Sequence, residues 1–198
     1  MIAIIDYGAG NIFSVLNALE YLGVPAELTA DGDKIRQADA IILPGVGAFP
    51  DAMRMLHATG LTELLKEEAG KKPFLGICLG MQMLFEKSWE FEETEGLGLI
   101  PGEIVRIPDT GLKIPHMGWN QLEITQSCPF LEGIKDGGSV YFVHSYMAKT
   151  EPENVVAYSD YGVQVPALVR CGNVYGAQYH PEKSGAVGLQ MLRNFAGR

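Results

Sequence analysis

The stretch PFLGICLGMQMLFE, residues 73–86, shows the pattern from which the rest of the fold can be predicted, and its cysteine raises the question of function. The apolar run before Cys78 predicts a buried strand, and the periodicity after it predicts a helix that extends over residues 79–91. Gly76 and Gly80 flank the cysteine at two residues on either side, as in the G-x-S-x-G nucleophile elbow. The first N–H groups of such a helix would favour a thiolate and could hold an oxyanion. The alternative is a small cysteine buried in the core.

The sequence on the N-terminal side of this stretch alternates between two patterns. Apolar runs at residues 2–6, 26–29, 40–44 and 71–77 predict strands, and apolar residues at helical spacing over residues 12–22 and 61–69 predict helices. Continuous apolar strands separated by amphipathic helices are typical of a parallel sheet covered on both faces. Ligands of such sheets bind beyond the carboxyl ends of the strands, which is where Cys78 falls.

The sequence after about residue 96 changes to shorter β-like runs bounded by Gly, Pro and Asp. These runs predict an antiparallel or mixed extension of the same sheet, and residues 184–198 predict a closing helix. We therefore expect one α/β domain over residues 1–198. It should be flavodoxin-like, with a mostly parallel central sheet flanked by helices and a mixed or antiparallel β extension in the second half.

Composition and charge exclude several classes of function. The 198 residues include 24 acidic and 15 basic side chains, a formal charge of −9, so a nucleic-acid partner is not expected. No leader pattern or long apolar run is present, which predicts a cytoplasmic protein without a membrane span. Cys78, Cys128 and Cys171 are odd in number and far apart, so we expect free thiols. The histidines lack zinc-site spacings, and neither a metal nor a cofactor is expected.

A histidine and a glutamate near the C-terminal end offer the partners that a nucleophilic cysteine needs. They stand in YGAQYHPEKSG, residues 175–185, as His180 and Glu182. If the run before them is a strand beside that of Cys78, Pro181 bends the chain away and strand alternation puts both side chains on one side. A Cys-His-Glu relay is then geometrically reasonable. The alternative is a solvent-facing pair in a turn.

A glycine-rich loop, LPGVGAF at residues 43–49, directly follows another predicted strand. The glycines on either side of Val46 let the backbone reorient at low energy. The Val46 N–H could therefore join the Leu79 N–H in stabilising a tetrahedral oxyanion. A plain turn is the alternative, and a phosphate-binding loop is disfavoured because no Lys plus Ser or Thr completes the P-loop pattern.

Taken together and in this order, PGVG, GICLGMQ and HPE strongly resemble the triad-type, class I glutamine amidotransferases. The resemblance implies that Cys78 attacks the side-chain amide of L-glutamine, that His180 shuttles the proton to the departing ammonia, and that Glu182 orients His180. Water then releases glutamate from the thioester. The resemblance also implies that Gln82 and Gly47 belong to the glutamine pocket.

Four further stretches resemble one branch of that family, the glutaminase subunits of imidazole glycerol phosphate synthases. They are IIDYGAGN (4–11), PHMGWNQ (115–121), YFVHSY (141–146) and HPEKSG (180–185). The resemblance implies a heterodimer with a (β/α)-barrel cyclase subunit, which receives the ammonia to form imidazole glycerol phosphate in histidine biosynthesis. It implies a glutamine pocket that includes His144, Ser145 and Tyr146, and a partner interface and ammonia passage formed by Asn11, Trp119, Asn120, Tyr141 and Lys183.

Three other functions remain open at this level. The chain could be the glutaminase subunit of another synthase, or a Cys-His hydrolase that acts on a different amide or ester. A non-enzymatic binding module of the same fold would require the three motifs to coincide by chance. Ammonia release from glutamine, measured with the chain alone and with a candidate cyclase and its ribulotide ligand, separates these cases.

Overall fold

The computed structural model describes residues 1–197. Its helices are α1 (Ile12–Tyr21), α2 (Gly32–Gln37), α3 (Phe49–Ala58), α4 (Thr62–Ala69), α5 (Leu79–Gln82) and α6 (Gly185–Phe195). Its strands are β1 (Ile2–Ile5), β2 (Ala26–Thr29), β3 (Ala40–Leu43), β4 (Phe74–Ile77), β5 (Phe85–Ser88), β6 (Thr94–Glu95), β7 (Ile100–Arg106), β8 (His116–Gln121), β9 (Glu123–Ile124), β10 (Ser139–His144), β11 (Tyr146–Lys149), β12 (Val155–Asp160), β13 (Gln164–Cys171) and β14 (Val174–Ala177). Three short 3₁₀ turns span Pro129–Leu131, Pro152–Asn154 and Pro181–Lys183.

The main sheet has eight strands in the order β2-β1-β3-β4-β14-β13-β12-β9. The pairs from β2 to β14 are parallel, and β13, β12 and β9 continue the sheet in antiparallel fashion. The order 2-1-3-4 is that of a flavodoxin-like, doubly wound sheet. The predicted fold class is therefore confirmed.

Strand alternation divides the apolar residues between two cores, one on each face of the main sheet. In β1, Ala3 and Ile5 belong to one core, whereas Ile2 and Ile4 belong to the other. Buried side chains of α2, α3 and α4 close the first core, and those of α1 and α6 close the second. Both faces of the sheet are thus covered, as the unbroken apolar runs predict.

The extension predicted for the second half is only partly a continuation of the main sheet. β8 and β10 form a separate two-stranded antiparallel sheet, and β11, β7, β5 and β6 form a four-stranded one. The run at residues 139–147 is split between them, because β10 ends at His144 and β11 begins at Tyr146. Ser145 is the single residue between the two strands, and its carbonyl accepts the Ile107 N–H at 3.0 Å.

The helix predicted over residues 79–91 is wrong beyond its first turn. α5 ends at Gln82, and residues 85–88 form β5, which pairs with β6 and β7. The carbonyls of Met83 and Leu84 accept N–H groups from Leu97 and Leu99, both at 2.8 Å, so they are not available to a continuing helix. Strand pairing with β6 and β7 has overridden the local helical periodicity.

Close backbone approach explains the glycine that follows Cys78. A Cβ atom placed on Gly80 would lie 1.9 Å from the carbonyl oxygen of Leu43, at the end of β3. The neighbouring loop is also tight, since a Cβ on Gly45 would lie 2.6 Å from the Gly80 nitrogen. The elbow after β4 and the loop after β3 are therefore in backbone contact, which only glycine permits.

We expect Gly80→Ala to lower the free energy of unfolding by about 3 kcal/mol or more, because the overlap with backbone cannot be relieved by a side-chain rotation. Gly70→Ala is the matched control. Gly70 has a helical φ of −74° and its added Cβ would only reach ordinary contact with the Glu67 oxygen at 3.5 Å. Denaturant unfolding of both variants measures the difference, and equal losses would contradict the tight approach.

Residues 1–197 contain neither a membrane-spanning helix nor a metal-binding cluster. No helix there is both long enough and apolar enough to cross a membrane. Residues 1–197 also contain no group of three or more His, Cys, Asp or Glu side chains placed to hold a metal ion.

Candidate active site

Cys78 lies directly after β4, at the carboxyl edge of the main sheet. Its N–H donates to the Ala177 carbonyl at 2.8 Å, so the ladder between β4 and β14 continues to the cysteine. Its backbone then turns sharply, with φ +54° and ψ −110°. Positive φ is strained for a residue other than glycine and is the backbone state of a nucleophile elbow. The thiol thus lies at the start of α5, a single helical turn.

The glycine-rich loop after β3 lies against this elbow. Tyr7, at the end of β1, donates its hydroxyl to the Pro44 carbonyl at 2.8 Å and so holds the start of the loop. Gly47 adopts φ +107°, a conformation open to glycine. Val46 and Gly47 line the same cavity as Cys78 and Leu79. The structure therefore brings the two predicted oxyanion residues to one place.

His180 and Glu182 follow β14, the strand next to that of Cys78. The His180 Nδ1 and Glu182 Oε1 atoms are 2.8 Å apart, and both side chains are buried. The 3₁₀ turn Pro181–Lys183 brings them together. Strand alternation, the predicted cause, is wrong because β14 ends at Ala177. Ser184 secures the turn by donating to the His180 carbonyl at 2.6 Å and accepting the Tyr141 N–H at 3.0 Å.

The ionisation of His180 reflects both neighbours. Burial by itself would lower the pKa of His180, but hydrogen bonds to Cys78 and Glu182, together with their negative charges, raise it to about 9. The protonated ring is therefore favoured at neutral pH. An imidazolium between a sulfur atom and a carboxylate is suited to give a proton to a leaving group.

A cavity of about 300 Å³ opens above the cysteine. Its lining includes every residue predicted for the nucleophile, the base, the oxyanion hole and the glutamine pocket, with Glu182 behind His180. Its walls are formed by Val46, Gly47, Cys78, Leu79, Gln82, Glu90, Pro115, Val143, His144, Ser145, Tyr146 and His180. The volume suits a small-molecule ligand.

Two of these side chains are already engaged by the protein. Gln82 uses both amide hydrogens, donating from Nε2 to the Tyr146 carbonyl and to Gln178 Oε1, each at 3.1 Å. Its Oε1 remains as an acceptor. His144 bonds the Tyr146 carbonyl through Nδ1 at 2.7 Å and His116 through Nε2 at 2.9 Å. Any contact of His144 with a ligand must therefore use its backbone or ring carbons.

Four of the residues predicted to face a partner lie on adjoining elements beside the triad. Trp119 and Asn120 belong to β8, and Tyr141 is opposite Trp119 on β10, with their rings 6.1 Å apart. The Tyr141 carbonyl accepts the His180 N–H at 3.0 Å, and Lys183 is exposed in the following turn. Trp119 is 57% exposed, which is high for an indole ring.

Asn11 directly precedes α1 and accepts the Ser14 hydroxyl at 2.9 Å. A second cavity of about 400 Å³ lies between α1 and the turn after His180, lined by Ser14, Asn17, Glu182 and Gly185 among others. The Glu182 Oε2 atom is buried and has no hydrogen-bond partner among residues 1–197. The side of α1 that carries Ser14 and Asn17 thus borders Glu182, whereas Asn11 itself does not line this cavity, and its place in an interface stays a prediction.

Sequence reasoning missed several residues of the site. Glu90, Pro115 and Val143 line the cavity, Gln178 bridges toward the sulfur, and His116 supports His144. Glu90 belongs to the helix that the sequence predicts over residues 79–91, so nothing in the pattern directs it to the cavity. Gln178 stands two residues before His180, so its proximity could have been inferred from the parallel pairing of the two strands.

Comparisons with known proteins agree with this geometry. Residues 3–197 match the family model described as Glutamine amidotransferase class-I. The Imidazole glycerol phosphate synthase subunit HisH of Caldanaerobacter subterraneus subsp. tengcongensis is 54% identical over 197 residues, which cover 98% of this chain and 97% of that relative. The subunit of the same name from Bacillus cereus (strain G9842) is 54% identical over 198 residues, 100% of this chain and 94% of the relative.

A solved structure extends the comparison to the fold. The structure of PurLQS from Thermotoga maritima superposes with a TM-score of 0.77 at 22% identity, covering 99% of this chain and 97% of that chain. At this identity the likeness concerns the fold alone. The chain belongs to the class-I glutamine amidotransferase family and, within it, to the group formed by the HisH subunits of imidazole glycerol phosphate synthase.

Proposed function

We propose that the chain hydrolyses L-glutamine to glutamate and ammonia, and that it delivers the ammonia to a (β/α)-barrel cyclase with which it forms a heterodimer. The observation that carries this proposal is the single cavity in which Cys78, His180 and the glycine-rich loop meet. The relatives named as subunits of imidazole glycerol phosphate synthase support the assignment to histidine biosynthesis. The match over residues 3–197 supports one glutaminase domain over 1–198, and we propose the cytoplasm as its location.

In the first half of the proposed reaction, the Cys78 sulfur attacks the side-chain carbonyl carbon of glutamine. The carbonyl oxygen becomes an oxyanion, which the N–H groups of Val46 and Leu79 would stabilise. As the intermediate collapses, the C–N bond breaks and the His180 imidazolium gives its proton to the departing ammonia. The product is a thioester on Cys78.

In the second half, water replaces the thiol. His180, now neutral, accepts a proton from a water molecule that attacks the thioester carbon, and the C–S bond breaks to release glutamate. Glu182 Oε1 is 2.8 Å from His180 Nδ1, so the carboxylate keeps the ring turned toward the sulfur throughout.

Glu90 is suited to recognise the amino-acid end of glutamine. Among the described residues that line the cavity, it is the only carboxylate. Its Oε2 accepts the Phe49 N–H at 2.7 Å, at the start of α3, and its other oxygen is free for the α-ammonium group of a ligand. Burial raises the pKa of Glu90, a tendency that the Phe49 N–H opposes. Gln82 Oε1 offers a second acceptor in the same cavity.

Glu90→Gln should raise the KM for glutamine by roughly tenfold to a hundredfold, because it removes a charge-assisted hydrogen bond to the ammonium group. The change in kcat should be smaller, since that bond is present in both the ground state and the transition state. As the pH is lowered, protonation of Glu90 should raise the KM of the wild type. Because the pKa of Glu90 is raised, this rise should begin at a higher pH than for an ordinary glutamate. Steady-state ammonia release measures both effects.

Glu93→Gln is the matched control for Glu90→Gln. Glu93 lies in the same loop but pairs with Lys87 at 3.3 Å on the surface. A glutamine analogue without its α-amino group provides a second control, because wild type and Glu90→Gln should bind it alike. A similar rise in KM for Glu93→Gln, or a persistent difference with the analogue, would argue against the role of Glu90.

The glycine-rich loop that carries Val46 is also suited to control the reaction. An uncoupled glutaminase wastes glutamine, and a missing oxyanion donor lowers the rate by about 10²- to 10³-fold. We infer that the Val46 peptide becomes competent when a ligand occupies the partner. A lone chain crystallised with glutamine, with the Val46 N–H already directed at the amide oxygen, would contradict this inference.

The decisive experiment measures ammonia release from glutamine by the chain alone, with a candidate cyclase, and with that cyclase and its ribulotide ligand. We expect low activity alone and a sharp rise in the liganded complex. In that complex, the interface should cover five residues, Asn11, Trp119, Asn120, Tyr141 and Lys183. Activity without any response to the cyclase would indicate another synthase. No activity in any condition would refute glutamine as the substrate.

A further inference from the structure

A chain of hydrogen bonds runs from the predicted partner face into the glutamine cavity. Asn120 Oδ1 lies 2.8 Å from His116 Nε2, and His116 Nδ1 lies 2.9 Å from His144 Nε2. His144 Nδ1 lies 2.7 Å from the Tyr146 carbonyl oxygen. Asn120 is partly exposed on β8, whereas His116 and His144 are buried. The chain thus joins a surface amide to a carbonyl that lines the cavity.

The direction of these bonds follows from the groups at the inner end. The Tyr146 carbonyl can only accept, so His144 must carry its proton on Nδ1. Burial lowers the pKa of His144 to about 3, so the ring is neutral at ordinary pH and its Nε2 accepts. His116 must therefore donate from Nδ1. At the outer end, Asn120 can offer Oδ1 to a protonated His116 or, after a half-turn of its amide, an N–H to a neutral one.

The inner end of the chain positions Gln82. The Tyr146 carbonyl accepts from both His144 and Gln82, and the same Gln82 nitrogen also donates to Gln178 Oε1 at 3.1 Å. The Gln178 Nε2 atom is in turn 4.0 Å from the Cys78 sulfur. A shift of the Tyr146 carbonyl would therefore move the acceptor that Gln82 presents to a ligand.

Packing alone does not account for a histidine at position 116. Its ring is stacked between Phe142 and Tyr161, with centroid distances of 4.5 and 4.0 Å. Any aromatic ring could fill this space, and a phenylalanine would do so without burying polar atoms. Both ring nitrogens of His116 are nevertheless paired, each with a side chain that leads away from the stack.

We propose that His116 is a positioning residue of the glutamine site, which holds His144 and the Tyr146 carbonyl in place, and that Asn120 anchors His116 at the outer end. This proposal rests on the proposed glutaminase activity. No atom of His116 takes part in bond making or breaking. Because Asn120 is partly exposed, a docked partner that bonds its amide would change the bond that Asn120 makes to His116.

Three substitutions separate the nitrogen atoms from the ring. His116→Phe keeps the stack and removes both hydrogen bonds, and it should raise KM for glutamine roughly tenfold, the size expected for one misplaced buried hydrogen bond. His116→Gln should do the same, because its amide reaches toward Asn120 and not His144. His116→Asn places an amide N–H near the position of Nδ1 and should restore much of the loss. Equal KM values for the Phe and Asn variants would overturn the proposal.

His57→Gln is the matched control, since His57 bonds Thr62 and does not line the cavity. It should leave KM unchanged. Thermal unfolding of all four variants separates a loss of fold from a loss of positioning. A wild-type KM in a folded His116→Phe variant would also overturn the proposal.

The role of Asn120 is tested by a double-mutant cycle. Asn120→Ala should raise KM in the same direction as His116→Phe, and the double variant should be no worse than His116→Phe alone, because both changes break one chain. Additive effects would show that Asn120 acts on the site by another route.

A readout that does not depend on activity comes from NMR of isotope-labelled histidine nitrogens. His144 should carry its proton on Nδ1 alone, and His116 should carry one on Nδ1 whether or not Nε2 is also protonated. A wild-type chain without glutaminase activity would refute the proposed function and leave this test standing. An active wild-type chain in which His116 is protonated on Nε2 alone would refute only the positioning role.

Discussion

Cys78→Ala should lower the rate of glutamine hydrolysis by a factor on the order of 10⁴ or more, because no other group can form the thioester. The substitution should leave the fold intact. Apart from its pairing with His180, the sulfur makes only long contacts, 3.8 Å to the Val143 carbonyl and 4.0 Å to Gln178 Nε2, so its loss removes little packing around it. Alanine also accepts the strained backbone about as well as cysteine does. Ammonia release and thermal unfolding measure the two properties separately.

Cys171→Ala is the control for this experiment, because Cys171 is a free thiol at the end of β13 and does not line the cavity. It should keep wild-type activity. Docking to the cyclase should survive in both variants. If Cys78→Ala still hydrolysed glutamine at an appreciable rate, the proposed mechanism would be wrong, even though the chain would remain a member of its family.

His180→Asn should cost about 10³-fold or more in kcat, since it removes the proton donor for ammonia and the base for water. Glu182→Gln should cost less. A glutamine side chain can still offer an oxygen to His180 Nδ1, and the other carboxylate oxygen has no partner to lose among the described residues. Single-turnover and steady-state rates give this ranking, which equal losses would contradict.

The pH profile of Glu182→Gln provides an independent check. The carboxylate helps to raise the pKa of His180 to about 9, so its removal should lower that pKa. Because the departing ammonia needs a protonated His180, the alkaline limb of kcat should move to lower pH in the variant. An unchanged limb would mean that Glu182 has little electrostatic effect on the ring, and an upward shift would contradict the expected sign.

The elbow itself could be predicted well from the sequence. An apolar run, a cysteine and two glycines at fixed spacing are local features, and the strained turn at Cys78 follows from local sterics. The parallel arrangement of β1 to β4 could also be predicted, because the periodicity of apolar residues indicates buried strands and amphipathic helices. The spacing of the glycines does not show the close contact between Gly80 and the Leu43 carbonyl, which also requires glycine at this position.

The segment after α5 could not be predicted in this way. Residues 79–91 have helical periodicity, yet β5 forms because its neighbours β6 and β7 supply hydrogen-bond partners from residues 94–106. Because β5 forms instead of a longer helix, Glu90 lies in the loop after β5 and lines the cavity. Strand pairing depends on the partners that the following segments offer, and the periodicity of residues 79–91 does not show those partners.

The doubly wound half of the fold, the elbow at Cys78, the pairing of His180 with Glu182 and the three motifs whose order indicates the family all follow from the sequence. The groups that complete the site depend on the packed structure: the pairing of β14 with β4 that places His180 beside Cys78, the loop that brings Glu90 into the cavity, and the bond from His116 to His144. Local periodicity and backbone sterics act over a few residues, whereas these contacts join residues that are far apart in the sequence and meet only when the sheets pack.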